Sequence, residues 1–377
     1  MKSVIVLDVG TQFVKTWLFE IDKNKQQENI KFFTKESCSE KIFPACEQAI
    51  KKTLKKNKNK FTEILFGLNS DILKGKTITL CSKREDPREK IDLTELKYLI
   101  QKIEWRALNN IRKEFSKETE FKDTDIKLID ALVVGIQIDG RLVVDPIGMQ
   151  GQNICLSVYN IYTLCKWFNG FEKLAADLKL KLIKLIPVSY SLFHYLDLEK
   201  SPRGNALIID IGAKMTEITF VNNGGETIET KNFHLGGQAF SRVLADFFKT
   251  RLSDAENIKM KYSKGEIGFE AKKKLGHIFA PNISFWMNGI KIILGDFLRE
   301  YKILPNKIFI CGGGSKFPLI ESSLKKEKGF KIMNMENSLE SGEVSRLALK
   351  RLYSDLPDEK DIFAPIFKRV IKLIQNQ

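Results

Sequence analysis

Two segments of the chain, about two hundred residues apart, carry the same residue types at the same spacing. Each is a short apolar run that ends in Asp-x-Gly, followed by a polar turn and a second apolar run. The first contains Asp8 and Gly10, and the second contains Asp210 and Gly212. Glycine lets the backbone approach a phosphate and direct N–H groups at it, while a carboxylate at a strand end can orient a hydrated Mg²⁺. The pattern therefore predicts two strand–turn–strand hairpins that bind one nucleotide's phosphates from opposite sides.

A third segment joins a buried strand to a glycine-rich turn. The apolar run Lys307–Cys311 leads into Gly312, Gly313 and Ser315, and we expect a helix over Leu319–Lys326. Glycines here would let the flat face of an adenosine approach the backbone, and the helix N-terminus would favour anionic groups. The alternative is a plain strand-to-helix turn.

The order and spacing of these three segments resemble those of the actin-like ATPase superfamily, which has two phosphate hairpins and a late Gly-Gly adenosine loop. The resemblance implies an α/β chain with an actin-like ATPase fold, in which two related domains surround a nucleotide cleft and an α+β subdomain is inserted. It also implies ATP and Mg²⁺ as cofactors.

The alternation of strand-like, helical and charged segments predicts the domain boundaries. We expect a first actin-like domain over 1–82 and 163–197, the inserted subdomain over 83–162, and a second actin-like domain over 198–353. A short linker and an amphipathic helix would follow over 354–377. Within the second domain, residues 253–280 read as polar and helical, and Ile290–Tyr301 reads as a separate helix.

Composition limits the classes of function. The 377 residues suffice for two domains with hydrophobic cores. The net charge is +15, but lysines are spread along the chain without an interleaved aromatic stripe, which predicts a solvated surface and no nucleic-acid partner. The six cysteines form no Cys-x-x-Cys pair, so we expect reduced thiols in a cytosolic protein, with neither disulfide nor zinc. We expect no signal peptide, and no apolar run is long enough to cross a bilayer.

Three further segments resemble one branch of the superfamily. Val143–Gly151 resembles the Asp-Pro-x-Gly-Met-x-Gly segment of the FtsA family of bacterial cell-division proteins, where it lies in an extra subdomain. Phe233–Ser241 resembles that family's Gly-Gly-x-x-hydroxyl segment, and Ala255–Tyr262 resembles its adenosine-bordering helix. The PilM pilus-assembly family shares most of these features, but the stretch Pro146–Met149 favours FtsA.

The resemblance implies roles for individual residues. Asp8 and Asp210 would face Mg²⁺ and its waters as metal-orienting and catalytic groups. For three of the residues listed next there is a simpler interpretation: Lys15 could be a solvated strand lysine, and Glu256 and Lys259 could form an ordinary surface ion pair. The implied nucleotide-binding residues are Gly10, Thr11, Gln12 and Lys15 at the β- and γ-phosphates, Gly212, Ala213 and Thr216 opposite them, and Gly236, Gly237, Glu256, Lys259, Gly312, Gly313 and Ser315 around the ribose and adenine.

The second hairpin departs from the family pattern. The family usually has Gly-Thr-Thr-Asp where this chain has the four residues from Lys214 to Glu217. Met215 replaces a hydroxyl that would face phosphate, and Lys214 adds a charge at the turn. These changes predict nucleotide binding with at most a slow ATPase activity.

The C-terminal segment alternates apolar and basic residues at helical spacing. A strong apolar face beside a cationic one is typical of a helix in a membrane interface, and anionic lipid adds about 1 kcal/mol per basic residue near the surface. FtsA proteins typically end in such a helix; the alternative is a helix docked on the core. The predicted membrane-facing residues are Ile362, Phe363, Ile366, Phe367, Lys368, Arg369, Val370, Ile371, Lys372 and Ile374.

The resemblance as a whole implies an ATP-binding adaptor of the division ring at the inner face of the cytoplasmic membrane. Such a protein would polymerise head to tail, bind anionic lipid, and capture the C-terminal peptide of FtsZ. The second reading is a PilM-like cytoplasmic scaffold of type IV pilus assembly, which would bind a short peptide of an inner-membrane protein. A small-molecule kinase of the same superfamily is the third, and the inserted subdomain argues against it.

Overall fold

The structure is a computed structural model. It describes residues 2–22, 27–38, 41–56, 62–118, 125–196, 198, 205–222, 226–305, 307–327 and 331–335. The strands are β1 (Lys2–Val9), β2 (Phe13–Asp22), β3 (Gln27–Ser37), β4 (Thr62–Leu68), β5 (Leu73–Lys83), β6 (Ile126–Ile138), β7 (Arg141–Leu142), β8 (Asn153–Leu164), β9 (Lys181–Pro187), β10 (Ala206–Ile211), β11 (Thr216–Asn222), β12 (Thr227–Phe233), β13 (Lys307–Cys311) and β14 (Lys331–Asn334). The α-helices are α1 (Ile42–Leu54), α2 (Leu93–Glu118), α3 (Cys165–Asp177), α4 (Val188–Tyr195), α5 (Gly237–Phe248), α6 (Leu252–Lys264), α7 (Phe269–Tyr301) and α8 (Pro318–Lys326).

The same five-strand arrangement occurs twice. One sheet has the order β3-β2-β1-β4-β9, in which the β1–β2 hairpin is antiparallel and β4 and β9 continue in parallel. The order β12-β11-β10-β13-β14 repeats these pairings within a larger, nine-stranded sheet. In both, the strand that ends in Asp-x-Gly lies at the centre. This repeat is the pair of related domains that the duplicated sequence pattern predicts.

Each central strand is buried because its residues are apolar on both faces. Val4–Leu7 of β1 and Leu207–Ile209 of β10 are almost fully inaccessible to solvent. Continuous apolar runs of this kind are typical of strands covered on both sides by helices. In the first core α3 contributes Phe171, and in the second α7 contributes Trp286, both fully buried. The rigid cores hold the ends of both central strands, and with them the two Asp-x-Gly turns, in place.

The remaining strands extend the second sheet: β5 comes from the end of the segment 1–82, and β8, β6 and β7 come mainly from the inserted region. Leu96, Leu99 and Ile103 of α2 pack on this sheet in a separate core. The junction is β12 against β5, where the Thr77 hydroxyl donates to the Ile228 carbonyl (3.2 Å) and accepts from the Ile228 amide (2.9 Å). The inserted region is therefore joined to the second domain through the sheet.

One cysteine pair corrects the sequence-based expectation. Cys81 on β5 and Cys155 on β8 are opposite each other in the antiparallel register and form a disulfide. The prediction of reduced cysteines is therefore wrong for this pair. Their sequence separation of 74 residues hid a contact that only the register of the two strands creates. Cys38, Cys46, Cys165 and Cys311 are not part of a disulfide.

Some expectations concern residues outside the described part. The linker and amphipathic helix predicted over 354–377, including the membrane-facing residues from Ile362 to Ile374, lie there, as does the end of the second domain after residue 335. Among the residues that are described, no helix has both the length and the apolar character needed to cross a membrane.

Candidate functional site

The first hairpin is formed by β1 and β2 around the turn that follows Asp8. The Gly10 amide donates to the Phe13 carbonyl at 3.0 Å, which closes the turn. A Cβ atom at Gly10 would lie 3.0 Å from that carbonyl oxygen, so the tight turn favours glycine. In the strand register, Asp8 is directly opposite Lys15.

The second hairpin, formed by β10 and β11, has the same turn. The Gly212 amide donates to the Met215 carbonyl at 2.9 Å, the counterpart of the bond in the first hairpin. Asp210 is directly opposite Glu217 in the register. The frame of the two hairpins is therefore identical residue by residue, and Glu217 holds the position that a lysine holds in the first.

The tips of the two hairpins contact each other. The Lys214 amide donates to the Thr11 hydroxyl at 3.1 Å. On the first-domain side, the Gln12 carbonyl accepts from the Cys38 amide at 2.7 Å. Burial raises the pKa of the Cys38 thiol, and the charge of Lys214 partly opposes this. The structure thus brings both predicted phosphate turns to one place between the domains.

Two lysines of the first domain line this place. Lys15 forms an ion pair with Asp8 (Nζ···Oδ2 3.0 Å), and both side chains are mostly buried, so Lys15 is not a solvated strand lysine. Lys35 is opposite Lys15 in the β2–β3 register, and its ammonium lies 3.8 Å from the centre of the Phe13 ring. Burial and then the charge of Lys15 lower the pKa of Lys35, while Glu256 of the second domain raises it. Lys35 was not among the residues predicted for the site. The alternation of inward-facing and outward-facing residues along β3 could have indicated it.

Asp210 lies against the glycine loop of residues 312–315. A Cβ atom at Gly312, where φ is +81°, would be 2.1 Å from the Asp210 Oδ1 atom. Only glycine accommodates both that conformation and that approach. The hydroxyl of Ser315 donates to the Gly312 carbonyl at 2.8 Å and is buried, so it shapes the loop from within, whereas Gly313 is exposed.

The predicted glycine pair at the start of α5, Gly236 and Gly237, packs on the second hairpin. The Gly237 amide donates to the Gly212 carbonyl (2.9 Å), and the Gln238 amide donates to the Ala213 carbonyl (2.8 Å). A Cβ atom at Gly236 would lie 2.5 Å from the Gly212 oxygen. These glycines therefore hold the N-terminus of α5 against the turn. Their predicted contact with ribose stays a prediction.

Glu256 and Lys259 belong to a partly buried hydrogen-bond network and are not an isolated surface ion pair. Lys259 is 9% exposed and donates both to Glu256 (2.8 Å) and to the Gly237 carbonyl (2.9 Å). The Ser241 hydroxyl donates to the same Glu256 oxygen, Oε2, that accepts from Lys259. The network ties α6 to the start of α5, next to the second hairpin.

The side chain of one predicted nucleotide-binding residue faces the core of the second domain. Thr216 is fully buried, and its hydroxyl donates to the Leu235 carbonyl (2.7 Å) and accepts from the Trp286 indole (2.9 Å). Both bonds are made inside the second domain. The expectation that the Thr216 side chain closes over phosphate is therefore corrected by the core packing beneath the hairpin.

Glu217 connects the second hairpin to the first domain. Its carboxylate accepts from the Ser70 amide at 2.6 Å, and Asn232 donates to the Ser70 hydroxyl at 2.8 Å and to Asp71 at 3.1 Å. Burial raises the pKa of Glu217 to about 7; bonds from Ser70 oppose the rise, and Asp71 and Asp8 add to it. Glu217 follows Asp210 by seven residues, as Lys15 follows Asp8. This equal spacing in the sequence could have indicated that Glu217 and Lys15 hold equivalent positions.

The arrangement suits a polyanion better than a bare metal ion. Lys15 and Lys35 are neighbours across β2 and β3, and Lys214, whose amide makes the contact between the hairpin tips, has its charge close enough to act on Cys38. Among the residues that the structure describes, no group of three His, Cys, Asp or Glu side chains could hold a metal ion by itself. Asp8 and Asp210, at the ends of the two central strands, are the carboxylates that would face a Mg²⁺ ion bound together with phosphate oxygens and waters.

Solved structures share this fold. A chain of the PilM–PilN type IV pilus biogenesis complex superposes with a TM-score of 0.63 at 16% identity, covering 97% of this chain and 96% of that chain. The ethanolamine utilization protein EutJ from Carboxydothermus hydrogenoformans (TM-score 0.49, 12% identity, 93% and 89% covered) and MreB5 of Spiroplasma citri bound to AMPPNP (0.47, 12%, 99% and 98%) are more distant. No family model and no curated protein matches the sequence. The chain has the actin-like ATPase fold.

Proposed function

We propose that this chain is an ATP-binding actin-like scaffold that acts through the nucleotide-bound state rather than through rapid turnover. The observation that carries the proposal is the meeting of two identical glycine turns at the Thr11–Lys214 contact, beside the ammonium groups of Lys15 and Lys35. The phosphate oxygens of ATP would replace the hydrogen bond between Lys214 and Thr11 and would accept hydrogen bonds from the backbone amides of the two turns. Mg²⁺, held by Asp8 and Asp210 through waters, would supply charge neutralisation.

We expect slow ATP hydrolysis because each carboxylate near the hairpins already interacts with another group of the protein. Hydrolysis needs a carboxylate or equivalent base positioned on the attacking water. Asp8 is paired with Lys15, Asp210 packs on Gly312, and Glu217 accepts from Ser70. We therefore expect phosphate release well below the roughly 1–10³ s⁻¹ typical of enzymes.

Calorimetric titration with ATP–Mg²⁺ tests nucleotide binding. Lys15→Met should weaken binding at least about tenfold, because it removes an ammonium group from the phosphate site. The matched control is Lys181→Met, since Lys181 pairs with Glu63 at the far end of the same sheet. Equal affinity of wild type and Lys15→Met would contradict the proposal.

For the biological role we favour a PilM-like scaffold at the inner face of the cytoplasmic membrane. The support is the end-to-end likeness to a chain of the PilM–PilN complex, including the region inserted between the domains. The partner would then be a short cytoplasmic peptide of a PilN-like protein.

A division adaptor is the second candidate. The segment Val143–Gly151 and the amphipathic pattern over 361–374 support it, and it would bind the FtsZ C-terminal peptide, anionic lipid and further copies of itself. Fluorescence anisotropy with labelled peptides of both kinds separates the candidates. Binding of the FtsZ peptide alone would overturn the pilus assignment, and binding of the PilN-type peptide alone would remove the division role.

A further inference from the structure

The inserted region presents an outer surface of unusual composition. α2 packs one side on the sheet through Leu96, Leu99 and Ile103, which leaves the opposite side in solvent. We call this opposite side the α2 outer face. Its exposed residues between positions 94 and 110 are Thr94, Lys97, Tyr98, Gln101, Lys102, Trp105, Arg106 and Asn110.

Two large aromatic side chains stand on this face. Tyr98 is 62% exposed and Trp105 is 69% exposed. Seven residues are close to two helical turns, so the two rings lie in line, about 10 Å apart along the axis. Exposed tryptophan is costly in water, and tryptophan and tyrosine are enriched where one end of the ring meets an apolar phase and the other stays wet.

The charges on the same face have one sign. Lys97, Lys102 and Arg106 are exposed beside the two rings, and the exposed residues of α2 from 94 to 110 include no acid. The two acidic residues in this stretch, Glu95 and Glu104, are not among its exposed residues. Glu95 pairs with Arg84 (2.8 Å), and Glu104 is half-buried.

We propose that the α2 outer face docks on an anionic membrane surface, with Trp105 and Tyr98 at the headgroup level and the three cations against lipid phosphates. Charge complementarity selects an anionic partner. The face is a convex helix surface, which fits a flat layer better than a nucleic-acid strand, whose binding uses a groove that follows the backbone. This contact is independent of the nucleotide site and of the predicted C-terminal helix.

Tryptophan fluorescence tests the contact directly. Trp17 and Trp286 are buried and Trp167 is half-buried, so the solvent-exposed emission comes mainly from Trp105. With the full chain and vesicles of phosphatidylcholine and phosphatidylglycerol, we expect a blue shift, protection from acrylamide, and quenching by brominated lipid. Trp105→Phe should abolish these changes, whereas Phe285→Ala, at a 68% exposed position on α7, should not.

Charge variants separate this contact from the predicted tail. The triple change of Lys97, Lys102 and Arg106 to Gln should weaken vesicle binding at least about tenfold and remove the brominated-lipid quenching. The pair Ile366→Asp and Phe367→Asp in the tail should leave that quenching intact at saturating lipid. Vesicle binding with Trp105 still open to acrylamide would overturn the proposal, as would absent vesicle binding. Quenching by an oligonucleotide or an acidic peptide but not by vesicles would assign the face to another partner.

Discussion

The two hairpins have the same turn and different chemistry. In the first, the residue opposite the strand-end aspartate is Lys15, which neutralises Asp8 and faces the place where the domains meet. In the second, the equivalent residue is Glu217, and its carboxylate turns to the Ser70 amide of the first domain. A lysine at that position attracts a phosphate, and a buried carboxylate cannot.

The difference indicates that the two hairpins have different structural roles. The first hairpin has its lysine paired with an aspartate of the same hairpin, and under the proposed function this lysine would supply the charge that attracts phosphate. The second hairpin is held by other parts of the chain, namely by Gly236 and Gly237 at the start of α5, by the glycine loop, and by Ser70 of the first domain. Displacement of the second hairpin by a ligand would therefore move α5 and alter the contact between domains.

The largest expected effect is on the support of the second hairpin. Gly236→Ala would place a methyl group 2.5 Å from the Gly212 oxygen, a backbone atom that cannot move without shifting the turn. We expect the free energy of unfolding to fall by about 3 kcal/mol, by urea denaturation. Gly268→Ala is the control, because a Cβ atom there meets nothing within 4 Å. A loss no larger than that of the control would show that the close packing is relieved easily.

A smaller effect is expected from pH. The pKa of Glu217 is raised by burial to about 7, so its protonated form is favoured in the folded state. The stability from this group is present below the unfolded pKa and is lost as pH rises through 7. Relative to Glu217→Gln, wild type should lose about 2 kcal/mol of unfolding free energy between pH 5 and 7.5.

The control for the pH experiment is Glu47→Gln, a change in an exposed ion pair with Lys51 on α1. Its stability curve should run parallel to that of wild type. If Glu217→Gln also ran parallel, Glu217 would be an ordinary ionised carboxylate, and the contrast between the hairpins would be weaker.

The smallest effect concerns the contact between the tips. Thr11→Ala removes the acceptor of the Lys214 amide, a single bond at a partly exposed place. The loss of unfolding free energy should be about 0.5–1 kcal/mol. Thr11→Ser keeps the hydroxyl and should retain wild-type stability; a larger loss in both variants would point to strain in the turn.

The fold was predictable where residue types and local spacing decide it. The repeated Asp-x-Gly signal marks both hairpins, and the helix expected over Leu319–Lys326 is α8. The polar segment and the separate helix expected in the second domain are instead partly one helix, α7, which passes through Pro281. Burial of Phe279, Ile283 and Trp286 on both sides of the proline maintains that helix despite the missing amide.

Contacts distant in sequence could not be predicted in the same way. Strand register alone pairs Cys81 with Cys155, and domain packing alone brings Glu217 to Ser70. Thr216 had the right residue type for a ligand, but the indole of Trp286, seventy positions later, fixes its hydroxyl in the core. The type of a side chain therefore indicated a candidate site residue, and only the fold shows which groups that side chain contacts.

The central claim is that both turns bind the same triphosphate. Thr11 and Ala213 hold equivalent positions in the two turns, each next to its glycine and partly exposed. Calorimetric titration of ATP–Mg²⁺ into Thr11→Asp and Ala213→Asp separately, with Asn110→Asp on α2 as control, measures the repulsion at each tip. We predict that each turn variant weakens binding at least about tenfold while the control does not. Unchanged affinity in either turn variant would contradict the claim.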